Sequence, residues 1–181
     1  METERQLFNA ICSDDPKAMR RLYDRFSGYT MAIVLRYIPE REDARDVLQD
    51  SFVRILTSVK QFNYRGEGSL KSWVSRITAN CAIDWLKHHQ RLQMTDEIPD
   101  GIDENVDFEI HGVPPDMLNV MIGRLPVGCR TVLNLHVFER LTHKEIAQRL
   151  GIREASSASQ FSHAKQLLRE MINDCLNSQQ I

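Results

Sequence analysis

Asp43, Asp46 and Asp50 stand three and four residues apart, the interval that gathers side chains on one face of a helix. Three carboxylates so placed suit a partner with a basic surface. Beyond the Gly-rich run Gly66-Glu67-Gly68-Ser69 comes a second set, Arg76, Asn80, Ile83 and Lys87, spaced by four, three and four residues, with Phe62, Tyr64, Arg65, Lys71, Ser72 and Trp73 nearby. Aromatic rings stack on unpaired bases and cations hold phosphates, so this set suits single-stranded nucleic acid. A third set, Ser156, Ser157, Ser159, Gln160, Ser162, His163 and Lys165, offers hydroxyl and amide groups for base edges and a cation for phosphate. Each set also has an ordinary explanation. A charged helix face is commonly just a solvated one, and Trp73 and Trp85 share their helix's apolar face, where rings usually fill a core.

Catalysis explains these sets poorly. Exposed aspartates at helical spacing have no burial to shift their pKa values, and the chain has no P-loop, no His-Glu-x-x-His and no nucleophile motif. Gly66-Glu67-Gly68 lacks the further Gly and preceding strand of a dinucleotide loop, and is expected to be a flexible turn. Cys12, Cys81, Cys129 and Cys175 are far apart, so neither a metal site nor a redox pair is signalled. No cofactor and no small-molecule substrate are expected. No apolar run approaches the roughly 20 residues of a membrane span. The start, Met1-Glu2-Thr3-Glu4-Arg5-Gln6, is not a signal peptide, which points to the cytoplasm and against membrane insertion.

The elements that would carry these residues are helices. The 181 residues carry a formal net charge of −2, which hides a pattern. Residues 1–92 hold 15 Lys/Arg and 12 Asp/Glu, residues 93–115 hold none and 7, and residues 116–181 hold 8 and 6. The acidic middle also contains Pro99, Gly101, Gly112, Pro114 and Pro115, and is expected to be a flexible linker between two domains. Asp14-Asp15-Pro16 signals a helix start, with helices expected at about 16–27 and 29–38. A third, at about 41–60, has apolar residues at 44, 47, 48, 52, 55, 56 and 59, a 3.6-residue stripe opposite the three aspartates. A fourth spans about 69–91. After the linker, helices at 117–124 and about 127–138 lead into Thr142-His143-Lys144-Glu145, a capping box. Gly151 is placed to end that helix in a left-handed turn, and small Ala147 lets a second helix cross close. This is the pattern of a helix-turn-helix. Strand-like alternation is absent, so the fold expected is all-α, two small helical domains of which the C-terminal one holds the helix-turn-helix.

At this point the chain resembles a family. Asp43-Ala44-Arg45-Asp46-Val47-Leu48-Gln49-Asp50-Ser51-Phe52-Val53-Arg54 looks like the core-binding helix of sigma-70-type RNA polymerase sigma factors. Gly66-Glu67-Gly68-Ser69-Leu70-Lys71-Ser72-Trp73-Val74-Ser75-Arg76-Ile77-Thr78-Ala79-Asn80-Cys81-Ala82-Ile83-Asp84-Trp85-Leu86-Lys87 looks like their promoter-melting, −10-reading segment. Leu125-Pro126, Arg130-Thr131-Val132 and the helix-turn-helix look like their −35-reading domain, and a two-domain layout is that of the extracytoplasmic-function (ECF) group.

The resemblance implies a factor that binds polymerase core and directs promoter-specific initiation, with no chemistry of its own. Asp43, Asp46, Gln49, Asp50 and Phe52 would dock on the β′ clamp helices. Asn80 and residues 62–69 would capture a base from the −10 element, with Phe62, Arg65, Lys71, Ser72 and Trp73 around it and Arg76 and Lys87 on phosphates. Lys144, Arg153, Ser156, Ser157, Ser159, Gln160, His163 and Lys165 would bind the −35 element. The β flap, promoter DNA and an anti-sigma factor would be further partners, and the acidic linker would thread the RNA exit path as an RNA mimic. Similar proteins often carry Lys or Arg where this chain has Ala158 and His163. The alternatives are a helix-turn-helix regulator that binds duplex without polymerase, which leaves residues 43–91 unexplained, and a helical adaptor.

Overall fold

The computed structural model describes residues 2–89 and 114–178, which contain helices and turns and no strand. The chain divides into two compact units, Met1–Leu86 and Lys87–Ile181. Except for Pro114 and Pro115, the linker expected at 93–115 lies outside the described residues. No described helix is long and apolar enough to cross a membrane.

The first unit opens with a helix that the periodicity did not suggest, α1 (Glu4–Cys12). Its signal is short. Thr3 accepts a hydrogen bond from the Gln6 amide at 3.1 Å, and the Gln6 side chain accepts one from the Thr3 amide at 2.9 Å. This capping box satisfies two amides that a helix start leaves without partners. Leu7 and Ile11, one turn apart, are fully buried. The chain leaves α1 through Asp14 at φ 58, a left-handed conformation that Asp tolerates better than most residues. Asp15 then accepts from the Lys17 amide and from Arg21, both at 2.9 Å. The amide bond first, and the Arg21 bond second, hold the Asp15 carboxyl below its ordinary range.

The helices expected at 16–27 and 29–38 are one, α2 (Ala18–Tyr37), running straight through Gly28. Glycine costs a helix interior about 0.5–1 kcal/mol relative to Ala. Leu22 and Phe26 before it and Thr30, Ile33 and Tyr37 after it bury one continuous stripe, and that burial outweighs the cost. α3 (Arg41–Ser58) follows as expected, then a 3-10 turn (Val59–Gln61) and α4 (Ser69–His88). Leu7 and Ile11 of α1 meet Leu22 and Phe26 of α2, Phe52 and Ile55 of α3, and Leu70 and Val74 of α4 in one core. Each large side chain removed from water contributes about 1.5–3 kcal/mol.

In the second unit, α5 (Pro115–Arg124) has Pro in its first turn, where no amide is needed. α6 (Val127–Leu133) continues into a π-helical turn (Asn134–Phe138), so the single helix expected at 127–138 widens in its second half. Arg130 is buried, and its guanidinium donates to the Gly123 and Leu125 carbonyls at 2.6 and 3.2 Å. It thereby satisfies acceptors that the end of α5 leaves open. The helix-turn-helix is α7 (His143–Leu150) and α8 (Glu154–Ser178). Thr142 and Glu145 form the expected capping box, and Gly151 takes the left-handed turn at φ 73. Met121, Ile122 and Leu125 of α5, Cys129 and Leu133 of α6, and Ala164, Leu168 and Ile172 of α8 form this unit's core.

Candidate functional site

On α3, Asp46, Gln49 and Asp50 are exposed and Asp43 is half-buried, so the acidic face exists as a surface. Phe52 does not belong to it. Its ring is 4% exposed and packs on Tyr23 with centroids 4.6 Å apart, because position 52 falls on the apolar stripe with Ile55. The apolar member of the acidic face is Val53, 61% exposed. It extends the spacing 43, 46, 50 by three residues. Val53 was not foreseen, although the same spacing rule reaches it. Tyr23 is also an exposed large apolar residue.

On the same unit, Gln61, Phe62, Asn63, Arg65, Ser69, Ser72, Trp73 and Arg76 line an open cleft of about 550 Å³, within the range of sites that hold small molecules. Phe62 and Trp73 pack at 5.0 Å between centroids and leave an aromatic wall. Arg65 and Arg76 are exposed and supply cations. Ser69, Ser72, Trp73 and Arg76 share one face of α4, and Asn80 lies one turn further along it. Of the residues expected at this site, the cleft brings together Phe62, Arg65, Ser72, Trp73 and Arg76. Lys71, Asn80 and Lys87 lie outside its lining. The Lys71 ammonium sits 4.7 Å from the Tyr29 ring centroid instead. Ile83, expected in the polar stripe, is buried. Asn63 and Ser69 fall within the segment 62–69 expected to capture a base, whereas Gln61 was missed, since a lone polar residue just before that segment carries no periodic signal.

The Gly-rich turn, expected to be flexible, is tied. Ser69 Oγ donates to the Gly66 carbonyl at 2.6 Å and accepts from the Arg65 amide at 3.2 Å, and Ser72 Oγ donates to the Gly68 carbonyl at 3.0 Å. Gly66 and Gly68 have φ 125 and 83, a region that side chains beyond glycine enter only with strain.

In the helix-turn-helix, Lys144 and Arg153 are exposed, while Ser159 and Lys165 are half-exposed. Lys165 lies 5.3 Å from the Phe161 ring centroid. Ser156 and Ser157, expected to touch DNA, are buried at 5% and 0%. Ser157 shares the inward stripe of Ala164 and Leu168, and its Oγ lies 3.0 Å from His143 Nδ1. Its hydroxyl joins α8 to α7 and is not presented to a groove. Gln160 and His163 are half-buried toward Cys129. The thiol donates to Gln160 Oε1 at 3.0 Å and lies 3.6 Å from His163 Nδ1. Burial pushes Cys129 up to about 11, so it remains a thiol with a proton to donate. His143 stacks on His136 at 4.5 Å with 7° between planes. Burial first, and the His136 charge second, push His143 below its ordinary value.

Residues 22–92 match the family pattern of sigma-70 region 2, and residues 116–168 match that of sigma-70 region 4. The chain is 26% identical to the ECF RNA polymerase sigma-E factor of Haemophilus influenzae, over 94% of this chain and 95% of that one. It is 24% identical to the ECF RNA polymerase sigma factor SigM of Bacillus subtilis, over 87% and 97%. Among solved structures, CnrH in complex with the cytosolic domain of CnrY shares the fold, with a TM-score of 0.50 and 22% identity over 96% of this chain and 99% of that one.

Proposed function

The chain belongs to the sigma-70 family of RNA polymerase sigma factors, in the ECF group, and directs transcription initiation; on that premise we propose which residues do so. Asp43, Asp46, Gln49 and Asp50 dock on the β′ clamp helices, with Val53 and Tyr23 adding apolar contact in place of Phe52. The cleft between residues 61–65 and α4 takes an unpaired base of the −10 element. Phe62 and Trp73 stack or wedge, Arg65, Arg76, Lys71 and Lys87 hold the flanking backbone, and Asn80 contacts the strand beyond the cleft. Binding energy placed on single-stranded DNA draws the duplex open.

Residues 116–181 bind the −35 element through Lys144, Arg153, Ser159 and Lys165, and meet the β flap. Gln160 and His163 reach a base edge only by turning from Cys129. Residues 1–92 hold core and the −10 element, and residues 93–115 join the two domains through the RNA exit path as an acidic mimic of RNA. The chain performs no catalysis, works in the cytoplasm where polymerase is, and is restrained by an anti-sigma factor. The complex of CnrH with the cytosolic domain of CnrY supports that last partner.

The observation that carries this reading is the cleft, lined by an aromatic pair and two exposed arginines on the unit that bears the acidic face. Its test uses two variants with opposite defects. Asp50→Asn should weaken competition for core polymerase by a few-fold and leave opening by saturated holoenzyme intact, as expected of a surface charge. Arg76→Ala should keep core affinity and impair permanganate-detected promoter opening. Equal core affinity and equal opening for both variants and the parent would refute the assignment.

A further inference from the structure

We infer that Glu4, on α1, is a positioning residue for the base-capturing cleft, an inference that rests on the −10 reading above. Glu4 is a charged side chain only 4% exposed. Its Oε2 accepts hydrogen bonds from the Gly68 amide at 2.8 Å and the Leu70 amide at 3.3 Å. Those two amides bracket Ser69, the first residue of α4 and a member of the cleft lining. The contact is reciprocated, because Glu67 Oε1 accepts from the Glu4 backbone amide at 3.3 Å. Phe8, one helical turn after Glu4, stacks on Tyr64 at 5.6 Å and 17°, and meets Phe62 edge-on at 5.7 Å and 88°. Phe62 is the ring that packs on Trp73. One face of α1 thus applies a carboxylate to one end of the 62–69 segment and a ring to the other.

The physical consequence follows from the glycines. Gly66 and Gly68 have the most conformational freedom of any residue and gain the most entropy on release. Hydrogen bonds, with ring contacts from Phe8 and an ion pair between Arg25 and Glu67, hold the turn in one shape. A carboxylate accepting from backbone amides at a helix start is favoured by its charge and by the helix dipole. Without it, the half-buried Gly68 amide and the buried Leu70 amide would lose this acceptor. The turn would then sample other shapes, and Ser69, Ser72 and Arg65 would spend less time in the arrangement that receives a base. α1 lies outside the residues that match region 2, 22–92, so this support is supplied by a segment that the family pattern does not include.

The test uses holoenzyme and a 2-aminopurine-labelled non-template −10 oligonucleotide taken from a promoter that this holoenzyme transcribes. Glu4→Ala should weaken oligonucleotide binding by about tenfold, the effect of leaving charged-group hydrogen bonds unmade, and core affinity in a competition assay should stay within about twofold of the parent. Glu4→Gln, whose amide oxygen can still accept from Gly68, should recover most of the affinity. Glu4→Asp, one methylene too short, should not. Where Glu4→Ala proves unfolded, the Gln and Asp variants carry the test alone, and equal affinities for those two overturn the inference. Parent-like binding by Glu4→Ala, with Arg76→Ala impaired, overturns the role of Glu4 and leaves the cleft standing. Parent-like binding by Arg76→Ala removes the cleft reading, and the inference with it.

Discussion

Phe52 and Val53 are adjacent, yet one is core and the other surface, because successive helical side chains point about 100° apart. The two should therefore fail differently. Phe52→Ala should lower the thermal midpoint through a loss of about 3–5 kcal/mol, the cost of an aromatic cavity. Val53→Lys should leave the midpoint unchanged and weaken core binding in a competition assay, since it sets a cation before a basic partner. The same contrast explains why Ser156 and Ser157 were misjudged. Polarity says that a side chain can bond DNA, not which way it faces, and the partner that makes Ser157 an acceptable buried residue, His143, is fourteen positions away. His143 also gives a pH dependence with a definite sign. Its folded pKa is below the ordinary value of 6.5, so the unfolded chain binds more protons and stability rises with pH. The contribution is complete above about pH 6.5 and is lost as pH falls from there toward the folded pKa. His136 and Lys165 reinforce the shift and Glu154 opposes it. Thermal unfolding between pH 7.5 and 5.5 should show the second unit weakening as it acidifies, and His143→Gln should flatten that slope.

Helix capping makes the element scale the most legible in the chain and also its clearest omission. Thr142 with Glu145 announced α7, and the structure has that capping box. Thr3 with Gln6 is the same device, but it opens a helix of nine residues, too short for an apolar stripe to repeat over several turns. Thr142→Ala should cost about 1 kcal/mol, as removing an N-cap does, measured by denaturant unfolding. Gly28 makes the opposite prediction. It lies in mid-helix and is exposed, and a Cβ added there would meet nothing within 4 Å. Gly28→Ala should therefore stabilise the first unit by about 0.5–1 kcal/mol, and an unchanged or lower midpoint would show that Gly28 serves another need. Residues 61–68 were the least legible stretch. They hold no period, their shape depends on hydrogen bonds to Glu4, and sixty-four residues separate Glu4 from Gly68. Helix and linker patterning suggested the all-α, two-unit class, whereas the packing of α1 against that turn is a long-range fact that local pattern does not carry.

At the scale of the whole molecule, a net charge of −2 argues against tight duplex binding by the free chain, because most non-specific affinity for DNA comes from cations displacing counterions. Alone, it should retard promoter duplex poorly in a gel at about 150 mM salt, where phosphate contacts are already screened. Affinity for DNA should appear only with polymerase, which the acidic face of α3 is proposed to hold while the cleft beside α4 takes the strand. The most direct measurement adds the purified chain to sigma-free core polymerase on a library of promoter fragments and sequences the transcripts. Discrete start sites downstream of shared −35 and −10 motifs, absent with core alone and weakened when the chain carries Arg76→Ala, are the predicted result. Transcripts no more abundant or more ordered than those of core alone would contradict the account.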